Sequence, residues 1–397
     1  MSESTISPTE AAVLADAVYG IRETANVREG VARRLGAVDH ARGQHGPQEP
    51  GVATTLEAFD LSGRAIFGES GGPMLHRASG FGMVVPGKGR YAGDVAVVCR
   101  GTATKRDWLT NLNTGLDTGP AGLPVHTGFA RTYGTMATNV DAAFRKLDNP
   151  TNIHVVGHSL GGALAALFAM KFASEGRGNV HLYTFGAPRA GTGFFTEALN
   201  AALEPAQCRR VYALADVVPM VPIFPFAHAM GGLRTGRGGQ LISISSHFME
   251  NYRPAVWQQD WATLTAAAAD MDDLKSVDHW VSLAADSAST PWGAATLHAI
   301  GMGLKGILKI IDVTLGAVVT GVATVLDRIV MTLMHGIRFI GEQISFWTRK
   351  LIEGIGHFLG RALDAGQDLT TAFLRYVLGL LLSSLATVVS RALDRLS

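Results

Sequence analysis

Residues 152–170 read NIHVVGHSLGGALAALFAM, and few folds accommodate such a run. A strand-like stretch, Asn152–Val156, is followed by Gly157, and a helix-forming stretch, Leu160–Phe172, begins within four residues. Gly157, Ser159 and Gly161 fit the pattern G-x-S-x-G. The chain must turn sharply from strand into helix, which holds the serine in a strained conformation at the tip. Glycine on either side leaves room for that turn. The helix points its N-terminus at the serine, so the Leu160 N–H is placed to donate to a developing oxyanion. Five residues of this kind also arise by chance in ordinary glycine-rich turns. The strand before and the apolar helix after are what make this one a nucleophile elbow.

Such an elbow belongs in an α/β sheet, and its surroundings agree. Short apolar runs alternate with helical patterns through the centre of the chain, which predicts a mostly parallel sheet flanked by helices. The predicted strands are Phe81–Val85, Val95–Cys99, Asn152–Val156, Val180–Thr184, Val211–Ala215 and Leu241–Ser245, with a further helix over Thr196–Leu203. Near the start, Ser7 as N-cap, Pro8 as first helical residue and Glu10 in a capping box predict a helix. That start has no basic stretch before an apolar core, so no Sec signal is expected. The expected location is cytoplasmic or membrane-associated, or outside the cell by a specialised secretion system. Gly36–Pro50 reads as a loop.

Proline divides the chain. All 15 prolines lie between Pro8 and Pro291, and residues 292–397 have none. Because proline breaks helix interiors, that tail reads as helices. The split predicts an α/β region over 1–288 and an all-α, apolar or amphipathic region over 289–397. The chain's mean hydropathy is +0.19 with a charged fraction of 17%, and its apolar character concentrates in this tail. Its longest uncharged runs are Val313–Leu326 and Tyr376–Ser390, both below the roughly 18–20 residues of a membrane span. Three readings remain open: amphipathic helices in or on a bilayer, a bundle packed on the rest of the chain or on a partner, and a spanning hairpin. Tail glycines such as Gly303, Gly306 and Gly336 would permit close helix packing. A net charge of +1 supplies no field to recruit nucleic acid. Two cysteines, Cys99 and Cys208, build neither a disulfide framework nor a Cys-rich zinc site, and read as buried free thiols.

The elbow GHSLGGALA is preceded by VVCRGT and VHTGF and followed by YTFGAPRAG and DVVPMVP. These five motifs, in this order, resemble the class 3 lipases, α/β-hydrolase esterases of acylglycerols and phospholipids. The resemblance covers about a third of the chain directly. It implies a serine esterase without metal or organic cofactor.

A serine hydroxyl needs a base, and the base needs an orienting acid. In α/β-hydrolases the order is Ser, then Asp or Glu, then His. Asp216 ends the strand VYALA on the sheet edge where open α/β sheets place their sites, and it matches the family's acid. Asp260, Asp270, Asp272 and Asp273 lack a preceding strand. His247 follows LISIS and resembles the His-x-x-x-x-Tyr pattern of bacterial members. His279 is the alternative base, because fungal members carry Asp-His; its apolar stripe places it in mid-helix beside Asp278. His228 resembles a family loop histidine that is not the base, and the tail histidines read as polar-face residues. For the oxyanion hole, Leu160 pairs with Thr102, which directly follows the strand VAVVC and matches a family Ser or Thr. Trp108, Leu109 and Leu112 form one apolar face of a short helix. The resemblance makes them lid candidates; the plain reading is a helix packed permanently on the core.

The expected partners are a glycerolipid substrate and a membrane surface contacted through 292–397. A membrane-active tail without a Sec signal also resembles lipase toxins delivered between bacteria, which implies an immunity or chaperone protein. Two other readings stay open: a non-enzymatic membrane-perturbing or interaction protein, and an intracellular thioesterase or polyester depolymerase.

Overall fold

In the computed structural model the described residues are 5–20, 50–61, 64–70, 77–101, 115–147, 149–223, 225–235, 241–268, 276–286, 290–315 and 324–394. Strands among them are β1 (Arg64–Ser70), β2 (Arg77–Pro86), β3 (Val95–Cys99), β4 (Leu116–Thr118), β5 (Pro124–His126), β6 (Asn152–His158), β7 (Asn179–Phe185), β8 (Gly191–Thr192), β9 (Cys208–Ala213), β10 (Phe226–Ala227) and β11 (Gly232–Thr235). Seven make the central sheet, in the order β1-β2-β3-β6-β7-β9-β11. From β3 to β11 neighbours run parallel; β1 and β2 add an antiparallel edge. A second, small sheet has the order β10-β8-β5-β4. This is the mostly parallel sheet of an α/β-hydrolase.

Parallel strands covered on both faces read as continuous apolar runs, and every residue of β3 and β6 is buried. Ile153, Val155 and Leu182 face one core, and Val156, Tyr183 and Phe185 face the other. Helices α1 (Pro8–Ala17) and α2 (Pro50–Ala58) pack on the second face. Helices α3 (Thr127–Phe144), α4 (Leu160–Ser174) and α5 (Gly193–Ala202) pack on the first. Then α6 (Met249–Val256) and α7 (Trp261–Ala268) return to the second.

Helix α1 starts as its capping box predicts, with Ser7 and Glu10 bonded reciprocally. Its placement was not legible: all ten residues are buried. Asp16 pairs inside the core with Arg253 of α6 at 2.7 Å, and Trp261 Nε1 donates to the Ile6 carbonyl.

The predicted strand Leu241–Ser245 does not form. The sheet ends instead on β11, paired with β9. Leu241 makes only an isolated bridge to Gly293, and the next donors go to loops: Ile242 N–H to the Trp292 carbonyl, Ser243 N–H to the Ala215 carbonyl. A single 3₁₀ turn, Ser245–His247, follows.

The tail is a helical bundle: α8 (Val277–Ala284), α9 (Ala294–Leu315), α10 (Val325–Phe339), α11 (Glu342–Leu359) and α12 (Thr371–Asp394). Its stripes meet side chain to side chain, and its core is continuous with the α3–α4 face of the sheet. Two glycines mark the closest approaches. A Cβ at Gly306 would lie 2.6 Å from Val277, and one at Gly336 2.4 Å from Ile311. Because α8 packs with α9 and α11, the bundle begins ahead of residue 289. Helices α9 and α12 are long and apolar enough to cross a membrane by length and composition alone, yet 56% and 39% of their apolar windows are buried within the protein.

Candidate active site

Ser159 sits between β6 and α4 with φ +57° and ψ −134°. That is the left-handed region, which costs a non-glycine residue on the order of 1–3 kcal/mol and persists only where the surroundings impose it. Here the Ser159 N–H donates to the Phe185 carbonyl of β7 at 3.0 Å. The flanking glycines are required by contact. A Cβ at Gly157 would lie 2.2 Å from the Gly161 carbonyl oxygen, and one at Gly161 2.1 Å from that of Cys99.

Ser159 Oγ is 2.8 Å from His247 Nε2, and His247 Nδ1 is 2.8 Å from Asp216 Oδ2. All three residues are fully buried. A carboxylate only accepts, so the proton on the ring sits on Nδ1 and Nε2 is left to accept from the serine. Asp216 is held by two further donors, the Val218 N–H at 2.9 Å and the Tyr252 hydroxyl at 2.6 Å. Burial, together with the neighbouring Asp216, drives the Tyr252 hydroxyl well above its ordinary pKa, so it remains a donor.

His158, next to the nucleophile, fastens the base from the other side. Its Nε2–H donates to the His247 carbonyl at 2.7 Å, and its Nδ1 accepts from the Tyr19 hydroxyl at 2.8 Å. Burial, then the adjacent His247, lowers its pKa to about 3, which keeps the ring neutral as this bonding requires. Tyr252 stood in the sequence as the end of His-x-x-x-x-Tyr. Nothing in the sequence marked Tyr19, which reaches the site because α1 runs through the core.

Leu160 is the first residue of α4, so its N–H has no carbonyl one turn back to bond. The end of β3 also abuts the nucleophile: a Cβ at Gly101 would lie 3.2 Å from the Ser159 Cβ. Thr102, Trp108, Leu109 and Leu112 lie outside the described residues, as do Asp270, Asp272 and Asp273.

His279 is not part of this constellation. It lies in the first turn of α8 rather than in mid-helix, is exposed, and donates its backbone N–H to the N-cap Ser276. Its neighbour Asp278 accepts from Trp347 Nε1 at 2.7 Å, which ties the Asp-His pair to the bundle and leaves it out of the relay. Asp260 caps α7 through Thr263, and His228 bonds the Pro219 carbonyl. Both cysteines are free and buried. Among the described residues no cluster of three or more His, Cys, Asp or Glu could hold a metal ion.

A buried Ser-His-Asp relay on a strand-to-helix elbow, with a helix N-terminus facing the serine, suits attack on a carbonyl carbon. Residues 96–226 match the lipase (class 3) family model. The similarity of this chain to the class 3 lipases thus covers about a third of its length. The chain is 38% identical over 142 residues to a secreted mono- and diacylglycerol lipase of Fusarium solani, covering 34% of this chain and 42% of that protein. It is 33% identical over 147 residues to a lipase of Rhizomucor miehei, covering 34% and 40%. A chloroplastic phospholipase A(1) of Arabidopsis thaliana is 30% identical over 152 residues, covering 32% and 34%. The chain thus spans about two fifths or less of these relatives' length. Among solved structures, a Rhizomucor miehei lipase propeptide complex aligns at TM-score 0.41 with 24% identity, covering 58% of this chain and 66% of that one.

Proposed function

We propose that this chain is a serine carboxylic-ester hydrolase of glycerolipids, a phospholipase A1-like or acylglycerol lipase. The observation that carries the reading is the relay Ser159–His247–Asp216, with both links at 2.8 Å. His247 Nε2 takes the proton from Ser159 Oγ as that oxygen attacks the ester carbonyl. Asp216 stabilises the imidazolium that forms. The Leu160 N–H, with Thr102 as its expected partner, takes the carbonyl oxygen's negative charge. Collapse transfers the proton to the leaving alcohol. Water, activated by the same histidine, then releases the acyl group as a carboxylic acid. Because Ser159 is buried, substrate reaches it only when part of its covering moves. Incubation with mixed phospholipids and diacylglycerols, followed by lipid extraction, tests the reading. Release of fatty acid and a lyso- or monoacyl product is expected, and none from Ser159→Ala.

The lipid substrate is supported by the family and its relatives. Contact with a bilayer through 292–397 belongs to the same reading and is supported by large apolar side chains left outside the bundle core. Val313 is 79% exposed, Phe339 58% and Phe346 49%. A cell making a membrane-directed lipase must restrain it, which is where an immunity or chaperone protein, and an effector role, would enter. Periplasmic expression tests that part: lysis with the wild type and not with Ser159→Ala.

A further inference from the structure

A groove of about 470 Å³ runs between the loop that delivers the catalytic histidine and the last helix of the bundle. Ile242, Ile244 and Trp292 line it on one side, and Ser384, Thr387, Val388 and Arg391 of α12 complete it. Ile244 leads directly into the 3₁₀ turn Ser245–His247, so one end of the groove is a single turn from the base. Among the described residues that line it, Arg391 is the one charged side chain, and it is exposed.

The wall is a built one. Trp292 has φ +60°, a conformation that bulky residues rarely adopt. It is held there from both sides: its N–H donates to the Phe358 carbonyl of α11, and its carbonyl accepts from the Ile242 N–H, each at 2.8 Å. Strained backbone that the surroundings impose is characteristic of positions with a task. Here the strain sets the indole between the histidine loop and the bundle, in the groove.

We infer that this groove binds a single-chain anionic amphiphile: the acyl chain lies along Ile242, Ile244, Trp292 and Val388, and the acidic head meets Arg391 and the Ser384 hydroxyl. Hydrolysis of a glycerolipid yields two such molecules, a fatty acid and, from an anionic phospholipid, a lysophospholipid. The inference rests on the proposed function for that choice of ligand. The site itself lies outside residues 96–226, because one wall is a helix of the tail. An apolar channel with one guanidinium at its rim suits a ligand that is long, apolar and charged at one end.

Binding is read without turnover in the full-length Ser159→Ala protein. Lysophosphatidylglycerol carrying a brominated acyl chain, kept below its micelle concentration, should quench tryptophan fluorescence saturably. Trp292→Phe should remove most of that quenching. Arg391→Glu should weaken binding at least tenfold, and Thr387→Trp, which fills the groove, should abolish it. Arg361→Glu, a charge reversal on the exposed residue that follows α11, should leave it unchanged. A brominated fatty acid that binds with the same Arg391 dependence identifies the acyl product as an occupant. Millimolar inorganic phosphate should not displace the lipid. Quenching that survives Trp292→Phe, binding within twofold of the parent in Arg391→Glu, or displacement by phosphate alone overturns the inference. Failure of the esterase reading shows separately, as an inert wild type on a p-nitrophenyl ester.

Discussion

The sheet region and the helical tail share one apolar core, but they specify their structures differently. In the sheet region, single atoms decide the geometry. Gly157 and Gly161 admit no Cβ, Asp216 receives three hydrogen bonds, and His247 is held through both ring nitrogens and its carbonyl. In the tail, α9 to α12 are aligned by apolar stripes and a few close glycines, with polar links among the described residues such as Arg375–Asp327 and Trp347–Asp278. A polar relay fails when one partner is lost, because the rest is left buried and unsatisfied. A packed stripe loses stability by increments. Mutations should therefore act on chemistry in the first region and on stability in the second.

The largest expected effect is chemical. Ser159→Ala should lower kcat on a p-nitrophenyl ester by on the order of 10⁴-fold or more, with the melting temperature little changed. Asp216→Asn should cost nearly as much, because the amide stabilises the wrong tautomer. Near-normal turnover in either would break the first half of the comparison. Next comes the ion pair that ties α1 to α6: Asp16→Ala should destabilise by about 3–5 kcal/mol in denaturant unfolding, since it takes the carboxylate from a buried guanidinium. Leu333→Ala in the bundle core should cost about 2–5 kcal/mol and leave the esterase rate of the folded protein intact. A rate loss as large as that of Ser159→Ala would show that tail packing sets the catalytic geometry.

A smaller effect depends on pH. The folded pKa of His158, about 3, lies below its ordinary 6.5. The unfolded chain then binds a proton that the native protein refuses, so stability is lost as pH falls from about 6.5 towards 3, at up to ~1.4 kcal/mol per unit. His158→Gln should flatten that slope in denaturant titrations at pH 7, 5 and 4. The smallest stability change is expected on the bundle surface. Val313→Ser with Phe339→Ser should shift stability by no more than about 0.5 kcal/mol per site, yet reduce flotation with phospholipid vesicles. Equal flotation would remove these side chains from any membrane contact.

Much of the site was legible because its constraints are local. An elbow needs glycine at two fixed offsets, and an acid after a strand needs only the strand end, so Ser159, Leu160 and Asp216 stood out. His247 lies between Ser159 and Asp216, but not at the end of a strand as expected. The residues before it were expected to form a strand, and they form a bridge and a 3₁₀ turn, because their donors are taken by Ala215 and Trp292 from distant parts of the chain. The rival His279 is excluded only by where α8 packs. Tyr19 could not be found at all, since its role depends on α1 passing through the core.

The sequence by itself determined the elements that local rules govern: the parallel strands, the capped first helix, the proline-free helical tail and the nucleophile's turn. Each depends on periodicity, capping or steric room within a few residues. Only the tertiary structure decided that the tail closes into a bundle sharing the sheet's core, that Tyr19 and His158 brace the base, and that α12 walls a groove beside the histidine loop. Those are contacts between residues up to hundreds of positions apart. Hydrophobic burial drives them without direction, and only the packed whole fixes which surfaces meet.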